Sequence, residues 1–313
     1  MVAKGEDKMR VIITGGTGLI GQALAKDLSQ DGHEVIVLSR NPEKRVISAG
    51  IKIERWDGRS PDGWGSYVDS ADAIVNLAGE RLAGASPALR WTENRRQRIC
   101  QSRWNAGAAV TDAVRLATTK PGVVVQASGI DYYPVGNQIA TENSPPGDDF
   151  LSHICEDYWE PSTAGVESEG IRRVIVRTGP VIGPESHVLK PLALQHKLFL
   201  GGPMGSGKQW FSWVHIADVN GSIRFLIDES SASGAYNLCA PKPLTNGEFS
   251  KTLGNVLGRP SFLPAPAFIL RLIFGEMSTT ILNGVRGEPR RLLDAGYPFQ
   301  FPDAESALKD SLS

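Results

Sequence analysis

The stretch that most constrains the fold runs from Val11 to Pro42 and reads VIITGGTGLIGQALAKDLSQDGHEVIVLSRNP. Two short runs rich in Val and Ile flank a segment whose apolar residues recur at helical spacing. Gly15, Gly18 and Gly21 join the first run to that helical segment at even spacing. A strand, a tight turn, a helix and a second strand form a βαβ unit, which requires parallel strands in a sheet covered by helices.

Five further apolar runs continue this alternation: IKIERW, ADAIVNLAG, GVVVQASG, RRVIVRTG and AYNLCAP. Continuous β-branched runs separated by helical patterns are typical of a parallel sheet that is buried on both faces. The sequence therefore predicts an α/β fold, with a Rossmann-type doubly wound parallel sheet and a smaller C-terminal mixed or helical domain. We expect residues 1–8 to be a disordered extension and residues 9–184 to form the sheet domain. The chain should return to that domain around residues 213–240, and residues 185–313 should form the smaller domain on the substrate side.

Charge and cysteine content exclude several classes of protein. The formal net charge is −1 over 313 residues, so no global field favours nucleic acid or an anionic membrane, and we expect neither as a partner. No apolar run approaches the roughly 20 residues of a membrane span. The three cysteines and the histidines lack metal-ligand spacing, so we predict no metal and a reducing, cytoplasmic location, with an organellar one left open. A homodimer is compatible with the sequence, which does not define the oligomeric state.

The glycine turn is typical of a site that binds a dinucleotide. Glycines let the turn be tight, let a pyrophosphate approach the backbone and let the helix pack close to the sheet. The N-terminus of the helix then offers free N–H groups and a partial positive charge to the phosphates. The G-x-x-G-x-x-G spacing indicates the short-chain dehydrogenase/reductase superfamily rather than the dehydrogenases with G-x-G-x-x-G. The predicted contacts are Gly15, Thr17, Gly18, Leu19, Ile20 and Gly21.

The second apolar run ends in Ser39 and Arg40, where NAD-binding proteins carry an acid that accepts hydrogen bonds from ribose hydroxyls. An acid would repel a 2′-phosphate, whereas a guanidinium pairs with it. The sequence therefore predicts NADP(H) as the cofactor. The alternative is that Arg40 is a solvated loop charge.

A long helical pattern from about Thr92 to Thr119 carries Arg103 on the same stripe as its small and apolar residues. An arginine that faces a core needs an anionic partner. A cofactor phosphate would serve, and so would a buried carboxylate, and the sequence leaves both open.

The fourth apolar run ends in Leu77, Ala78 and Gly79. Small residues at this strand end would let the backbone pass beside the adenine ribose. Taken alone, the segment is only a strand end.

The catalytic pair of the superfamily is missing. Its members carry a tyrosine followed four residues later by a lysine, and none of the six tyrosines here has a lysine at that spacing. The run VVVQASGIDYYP instead places Ser128 and Tyr132 at a strand's carboxyl end, where ligands bind in doubly wound sheets. We predict that these two residues polarise the reacting oxygen. Alternatively, Tyr132 and Tyr133 line a pocket without titrating.

Motifs along nearly the whole chain after Met9 resemble one family. The stretches ASGIDYYP, FLSHICEDYWE, VRTGPVIG, GGPMGSGKQWFSWVHIADV and RRLLDAGYPFQFP are similar to atypical extended short-chain dehydrogenases of the epimerase family, with a C-terminal domain of unknown function. The resemblance implies that Ser152 and Glu156 stand in the places of the usual Tyr and Lys, counting back from Glu160. It also implies NADP contacts at Ser39, Arg40, Leu77, Ala78, Arg103 and Val181.

Two hypotheses of different classes follow. The first is an NADP(H)-dependent oxidoreductase or epimerase-like enzyme that acts on a small polar substrate, and the second is a cofactor-binding regulator or scaffold with little catalysis. The stretch GPMGSGKQ nearly matches a P-loop, but Gln209 stands where Ser or Thr must bind Mg²⁺, and a strand-like run follows. In related enzymes this region faces the substrate, so the candidate pocket residues are Lys208, Gln209, Trp210 and Trp213, with a packed aromatic corner as the alternative.

Overall fold

The computed structural model of the protein describes residues 8–44, 50–82 and 90–313. All of the predicted N-terminal extension except Lys8 lies outside these ranges. The strands are β1 (Arg10–Thr14), β2 (Glu34–Ser39), β3 (Ile51–Arg55), β4 (Ala73–Asn76), β5 (Val123–Gly129), β6 (Ile139–Ala140), β7 (Arg172–Thr178), β8 (Val181–Ile182), β9 (Trp210–Phe211), β10 (Val214–His215), β11 (Gly234–Leu238), β12 (Leu244–Thr245) and β13 (Arg286–Gly287). The α-helices are α1 (Leu19–Gln30), α2 (Glu93–Leu116), α3 (Phe150–His153), α4 (Leu189–Lys197), α5 (Ile216–Asp228), α6 (Asn246–Leu257), α7 (Ala267–Phe274), α8 (Thr279–Leu282), α9 (Arg290–Asp294) and α10 (Ala304–Leu312).

Seven strands form the central sheet in the order β11-β7-β5-β4-β1-β2-β3, and every neighbouring pair is parallel. The chain builds outward from β1 through β2 to β3, then returns to β4 and builds outward on the other side. The strand order therefore reverses between β1 and β4, which is where open α/β sheets bind their ligands. The Rossmann-type fold predicted from the alternating runs is confirmed.

The sheet is buried on both faces because successive strand residues point to opposite sides. Val11 and Ile13 pack with Leu24 of α1 and Ile223 of α5 in one apolar cluster. On the other face, Ile12 and Ile74 pack with residues of α2, including Ala106 and Val110. None of these side chains is more than 1 % exposed, so each face of the sheet forms a continuous core.

The segment after α3 changes its helical geometry. It continues as a π-helical turn over Ile154–Trp159 and then as a 3-10 helix over Pro161–Glu169. Proline has no N–H to donate to the preceding turn and its ring crowds that turn, so α-helical geometry does not resume at Pro161. The bulged turn lies beside the carboxyl end of β5, and π-bulges are frequent at functional sites.

The chain comes back to the sheet after residue 213. Strand β11 pairs with β7 from Gly234 to Leu238, and α5 packs beside α1, where the amide of Asn220 donates to Asp27 at 2.8 Å. Apart from the core that covers the two faces of the sheet, a second core surrounds the fully buried Trp213 and contains side chains of α6 and α10. Among the helices described, none combines the length and the apolarity that a bilayer crossing requires.

Candidate functional site

The glycine turn between β1 and α1 has no room for side chains. Gly15 has a φ of +64°, and a β-carbon there would lie 2.7 Å from the carbonyl of Leu77. A β-carbon on Gly21 would lie 2.5 Å from the Cα of Gly16. The helix can therefore approach the turn only because residue 21 is glycine. Gly18 caps α1 without a side-chain hydrogen bond, which leaves the first N–H groups of the helix open toward the crevice. The turn is therefore shaped for an anion to approach its backbone. The half-buried positions of the turn and the first helical turn are Gly15, Thr17, Gly18, Leu19 and Ile20.

A buried polar relay fixes the strand ends beside this turn. The hydroxyl of Thr14 donates to Asn76 Oδ1 at 2.5 Å, and the amide of Asn76 donates to Gln126 Oε1 at 2.8 Å. All three side chains are fully buried. Thr14 Oγ1 also accepts the backbone N–H of Ala78 at 3.2 Å, which holds the half-buried Leu77–Ala78 segment against the glycine turn. We did not predict these three residues, although polar residues near the ends of three apolar runs were a visible signal.

Arg40 lies just beyond β2, at the same edge of the sheet. Its side chain is exposed, and within the described residues its guanidinium has no hydrogen bond or ion pair. The arm runs beside the turn at Asp57–Gly58, where a β-carbon on Gly58 would lie 4.0 Å from Arg40 Cδ. Ser39 is buried, and its hydroxyl accepts the N–H of Asn41 at 3.3 Å. An exposed cation with no protein partner is free to pair with an anion of a ligand.

Arg103 is buried beside the end of β4. It is 5 % exposed, donates to the carbonyl groups of Glu80 and Ile99, and stacks on the ring of Trp159 at 4.2 Å. Burial lowers the pKa of Arg103 to about 10. Its Nε has no hydrogen-bond partner, and it forms no ion pair with the carboxylates of the described residues. A β-carbon on Gly79 would come within 3.3 Å of its Cζ, so the Gly79 backbone packs closely against this guanidinium.

Ser128 belongs to a buried network rather than to an open pocket. Its hydroxyl donates to Glu160 Oε1 at 2.8 Å, and the side chain is 3 % exposed. Arg177 binds both carboxylate oxygens of Glu160, at 2.8 and 2.9 Å. The remaining Arg177 nitrogen donates to the hydroxyl of Tyr133, which donates in turn to Asn237 at 2.7 Å. The network links β5, β7 and β11, and it commits the Ser128 proton to a carboxylate.

The neighbouring residues Tyr132 and Tyr133 differ in how far their hydroxyl groups are buried and hydrogen-bonded. Tyr133 is fully buried, and its hydroxyl accepts a hydrogen bond from Arg177 and donates one to Asn237. Tyr132 is half-buried, and its ring lies on the guanidinium of Arg177 at 3.4 Å. Burial raises the pKa of Tyr132, opposed by the charge of Arg177 and aided by that of Glu160. Tyr132 therefore carries its proton at neutral pH, at the carboxyl edge of the sheet.

The two positions that the resemblance assigns to the usual Tyr and Lys hold groups with different chemistry. Ser152 is fully buried and donates its hydroxyl to the carbonyl of Asp131 at 2.9 Å. Glu156 brings a carboxylate where a cation would lower a neighbouring pKa. Burial, with a smaller effect of Asp149, raises the pKa of the Asp131 carboxyl to about 6. Asp131 was not among the predicted site residues.

The end of α3 and the π-helical turn bring three potential metal ligands within 4.8 Å of one another: His153, Glu156 and Asp157. His153 and Asp157 form an ion pair at 3.2 Å across one turn, and both are exposed. An i,i+4 pairing on a helix surface accounts for this arrangement. The cluster does not by itself define a metal site.

The segment after the rejected P-loop divides into an inner and an outer part. Trp213 is fully buried in the second core, which corresponds to the packed aromatic corner. Trp210 is half-buried, donates to Asn137 at 3.0 Å and stacks with Arg286 at 4.5 Å. The strand β9 begins two residues after Lys208, so the helix that a P-loop requires is not there.

His215 and Asp218 tie this segment to the C-terminal residues. His215 lies 3.3 Å from Asp310, and Asp218 accepts the backbone N–H groups of Gln300 and Phe301. Val181 lies in β8, which pairs in parallel with β10, and its partner in that pair is Val214. These contacts fix the C-terminal region against the end of the sheet.

The reversal of strand order and the glycine turn define a dinucleotide-binding protein of the Rossmann class. Residues 11–239 match the NAD dependent epimerase/dehydratase family, and residues 265–311 match a domain of unknown function, DUF1731. The chain belongs to the NAD dependent epimerase/dehydratase family. The predicted resemblance to epimerase-family proteins with a C-terminal domain of unknown function is thereby confirmed.

Similar proteins cover nearly the whole chain. Epimerase family protein YfhF of Bacillus subtilis is 35 % identical over 97 % of this chain and 98 % of its own length. Epimerase family protein SDR39U1 of Mus musculus is 36 % identical over 96 % of this chain and 99 % of its own. The crystal structure of human epimerase family protein SDR39U1 (isoform 2) with NADPH matches with a TM-score of 0.86 and 35 % identity, over 97 % of this chain and 99 % of that one.

Proposed function

We propose that the protein binds NADP(H) above the carboxyl ends of β1 and β4 and acts as an NADP(H)-dependent oxidoreductase or epimerase-like enzyme on a small polar substrate. The observation that carries the cofactor choice is the unpartnered Arg40 at the end of β2, where an acid would select NAD. The human relative crystallised with NADPH supports the same choice.

The residues of the crevice fit such a cofactor. The glycine turn and the free N–H groups of α1 would hold the pyrophosphate, and Ser39 with Arg40 would hold the 2′-phosphate. Leu77, Ala78 and Gly79 would lie beside the adenosine half. The remaining contacts would come from Arg103, whose Nε lacks a partner, and from Val181. When bound, a nicotinamide cofactor supplies or accepts a hydride.

Tyr132 and Ser128 have unequal roles in this proposal. The phenol of Tyr132 holds its proton at neutral pH and can give it to a substrate oxygen during reduction, although the raised pKa makes it a weaker acid than a free tyrosine. Ser128 gives its own proton to Glu160, so toward a substrate its oxygen can only accept a hydrogen bond. The protonated phenol suits the reduction of a carbonyl, whereas the Ser128 oxygen, as an acceptor, can bind only the alcohol that this reduction forms.

A second function, a cofactor-binding regulator or scaffold with little catalysis, is favoured by one observation. The places of the usual Tyr and Lys hold Ser152, whose hydroxyl binds a backbone carbonyl, and Glu156. Neither group lowers the pKa of a neighbouring phenol. Under this alternative the crevice binds the cofactor and Tyr132 only lines it.

Turnover separates the two functions. NADPH oxidation is followed at 340 nm against a panel of aldehydes, ketones and keto sugars, for the wild type, Tyr132→Phe and the control Tyr158→Phe on the exposed π-helical turn. The enzyme proposal expects turnover above buffer that falls about 10²- to 10⁴-fold only in Tyr132→Phe, the range for a lost general acid. Tight NADPH binding with no turnover on any member of the panel favours the regulator.

Calorimetry tests the cofactor choice apart from catalysis. Arg40→Ala should weaken NADPH binding about 10- to 100-fold, the range for a hydrogen bond to a charged group, and leave NADH binding unchanged. Arg115→Ala is the matched control, because Arg115 is half-exposed and pairs with Asp112 and Glu169. Equal NADPH affinity in the wild type and Arg40→Ala would remove the phosphate assignment.

We also propose a cytoplasmic location. All three cysteines are buried and free, as in proteins of reducing compartments. A relative from Arabidopsis thaliana is named as chloroplastic, so fractionation of the host cell is the deciding measurement.

A further inference from the structure

A contiguous surface of the C-terminal half exposes apolar side chains instead of burying them. Of 17 large hydrophobic residues that are exposed among those described, ten fall in three segments: 194–200, 258–263 and 266–274. Backbone hydrogen bonds join the regions: Leu263 donates to Gly201, and Ala265 to Pro203. We call these three segments the apolar face. Its exposed apolar residues are Leu194, Leu198, Phe199, Leu200, Phe262, Leu263, Phe268, Ile269, Leu272 and Ile273.

Helix α7 shows most clearly that apolar side chains face outward. Its sequence AFILRLIF is apolar at every position but one, yet only Leu270 is buried. Phe268 and Leu272 lie one turn apart and are 69 % and 68 % exposed. Ile269 and Ile273 repeat the same spacing beside them. A helix with its apolar side turned outward marks a surface that binds something apolar.

The charged residues within the three segments of the apolar face are of one sign. The three segments contain Lys197, Arg259 and Arg271 and no Asp or Glu. All three cations are exposed, and none forms an ion pair with another described residue. Arg259 instead stacks over the ring of Phe199 at 4.8 Å. Two copies of such a face would bring cations against cations, so a second copy of this chain is not the partner that the charges favour.

We propose that the apolar face docks on the surface of an anionic phospholipid membrane, with Phe268, Leu272 and their neighbours in the boundary between headgroups and acyl chains and the three cations against the headgroups. Apolar residues beside Lys and Arg are the pattern by which helices lie in the plane of an interface. The docking is peripheral, since α7 has only eight residues. The net charge of −1 gives no indication of it, because the three cations are a local feature of one surface.

Vesicle co-sedimentation of the full chain tests the proposal. Vesicles of phosphatidylcholine alone are compared with vesicles containing 30 % phosphatidylglycerol, at low and at 0.5 M NaCl. Because each cation near an anionic surface contributes roughly fivefold, three should favour the anionic vesicles by about 100-fold, and high salt should remove most of this preference. Phe268→Ser with Leu272→Ser should lower binding at least tenfold, whereas Leu116→Ser, at an exposed apolar position on α2, should leave it unchanged.

NADPH titration of each variant shows whether the fold is intact, and it keeps this test separate from that of the proposed function. Absence of binding to anionic vesicles overturns the proposal, and so does equal binding by the double variant. Concentration-dependent self-association that the double substitution abolishes, without vesicle binding, would assign the face to a second copy of the chain instead.

Discussion

Removal of the Glu160 carboxylate should destabilise the protein strongly, because it would leave Arg177 as an uncompensated buried cation. Glu160 is 9 % exposed and Arg177 5 % exposed, and they share two hydrogen bonds of 2.8 and 2.9 Å. Breaking a buried ion pair by removing one partner costs about 3–5 kcal/mol. Ser128 loses its acceptor as well, at about 1 kcal/mol. We therefore expect Glu160→Ala to lower the free energy of unfolding by about 4–6 kcal/mol.

Urea unfolding followed by tryptophan fluorescence measures this loss, with linear extrapolation to water. Glu305→Ala is the matched control, because its ion pair with Lys309 is 63 % exposed at both ends and an exposed pair of this kind contributes little to stability. The double variant Glu160→Met with Arg177→Met should be less destabilised than Glu160→Ala, since it leaves no charge unpaired. A loss below about 1 kcal/mol for Glu160→Ala, close to that of the control, would refute this account of the network.

Three further perturbations have defined outcomes. Gly107→Ala should lower the melting temperature by several degrees, because its β-carbon would lie 1.9 Å from the hydroxyl of Ser162 and α2 would have to move; differential scanning calorimetry measures it, and an unchanged melting temperature contradicts the packing. Gly21→Ala should weaken NADPH binding at least tenfold, since its β-carbon would lie 2.5 Å from the Cα of Gly16; calorimetry with wild-type affinity would contradict this. Asp131→Asn should stabilise the protein above pH 6 by up to about 3 kcal/mol, because the pKa raised from 3.8 to about 6 makes ionisation of Asp131 costly in the folded state. This gain in the free energy of unfolding should fade as the pH falls toward 4. Urea unfolding at pH 4 and pH 7 measures it, and an equal effect of the substitution at both pH values would refute the pKa shift.

The sheet could be predicted because its signal is local. Each strand is a continuous apolar run, and the glycines and helical patterns between the runs determine that the strands are parallel. Arg40 could be singled out for the same reason, since the residue that follows the second strand is defined by the chain itself.

The network around Ser128 could not be predicted, because its partners are distant in the sequence. Arg177 and Asn237 meet through the pairing of β7 and β11, and Glu160 reaches them from the end of the π-helical turn, which no short pattern encodes. Ser128 therefore looked like a free hydroxyl at a strand end. The same limit applies to Asp131, whose raised pKa depends on what surrounds it in the fold.

The apolar face could not be predicted from the sequence for a different reason. A run such as AFILRLIF is equally typical of a buried helix, and hydropathy does not show which side of a helix is covered. Only the packing of α7, with Leu270 buried and Phe268 exposed, shows that the apolar side faces outward.

A crystal structure of the protein with NADPH tests the central claim most directly. We expect the pyrophosphate against the N-terminus of α1 and the 2′-phosphate within hydrogen-bonding distance of the Arg40 guanidinium. A bound cofactor whose 2′-phosphate contacts only solvent, or a glycine turn that stays empty at saturating NADPH, would contradict the account.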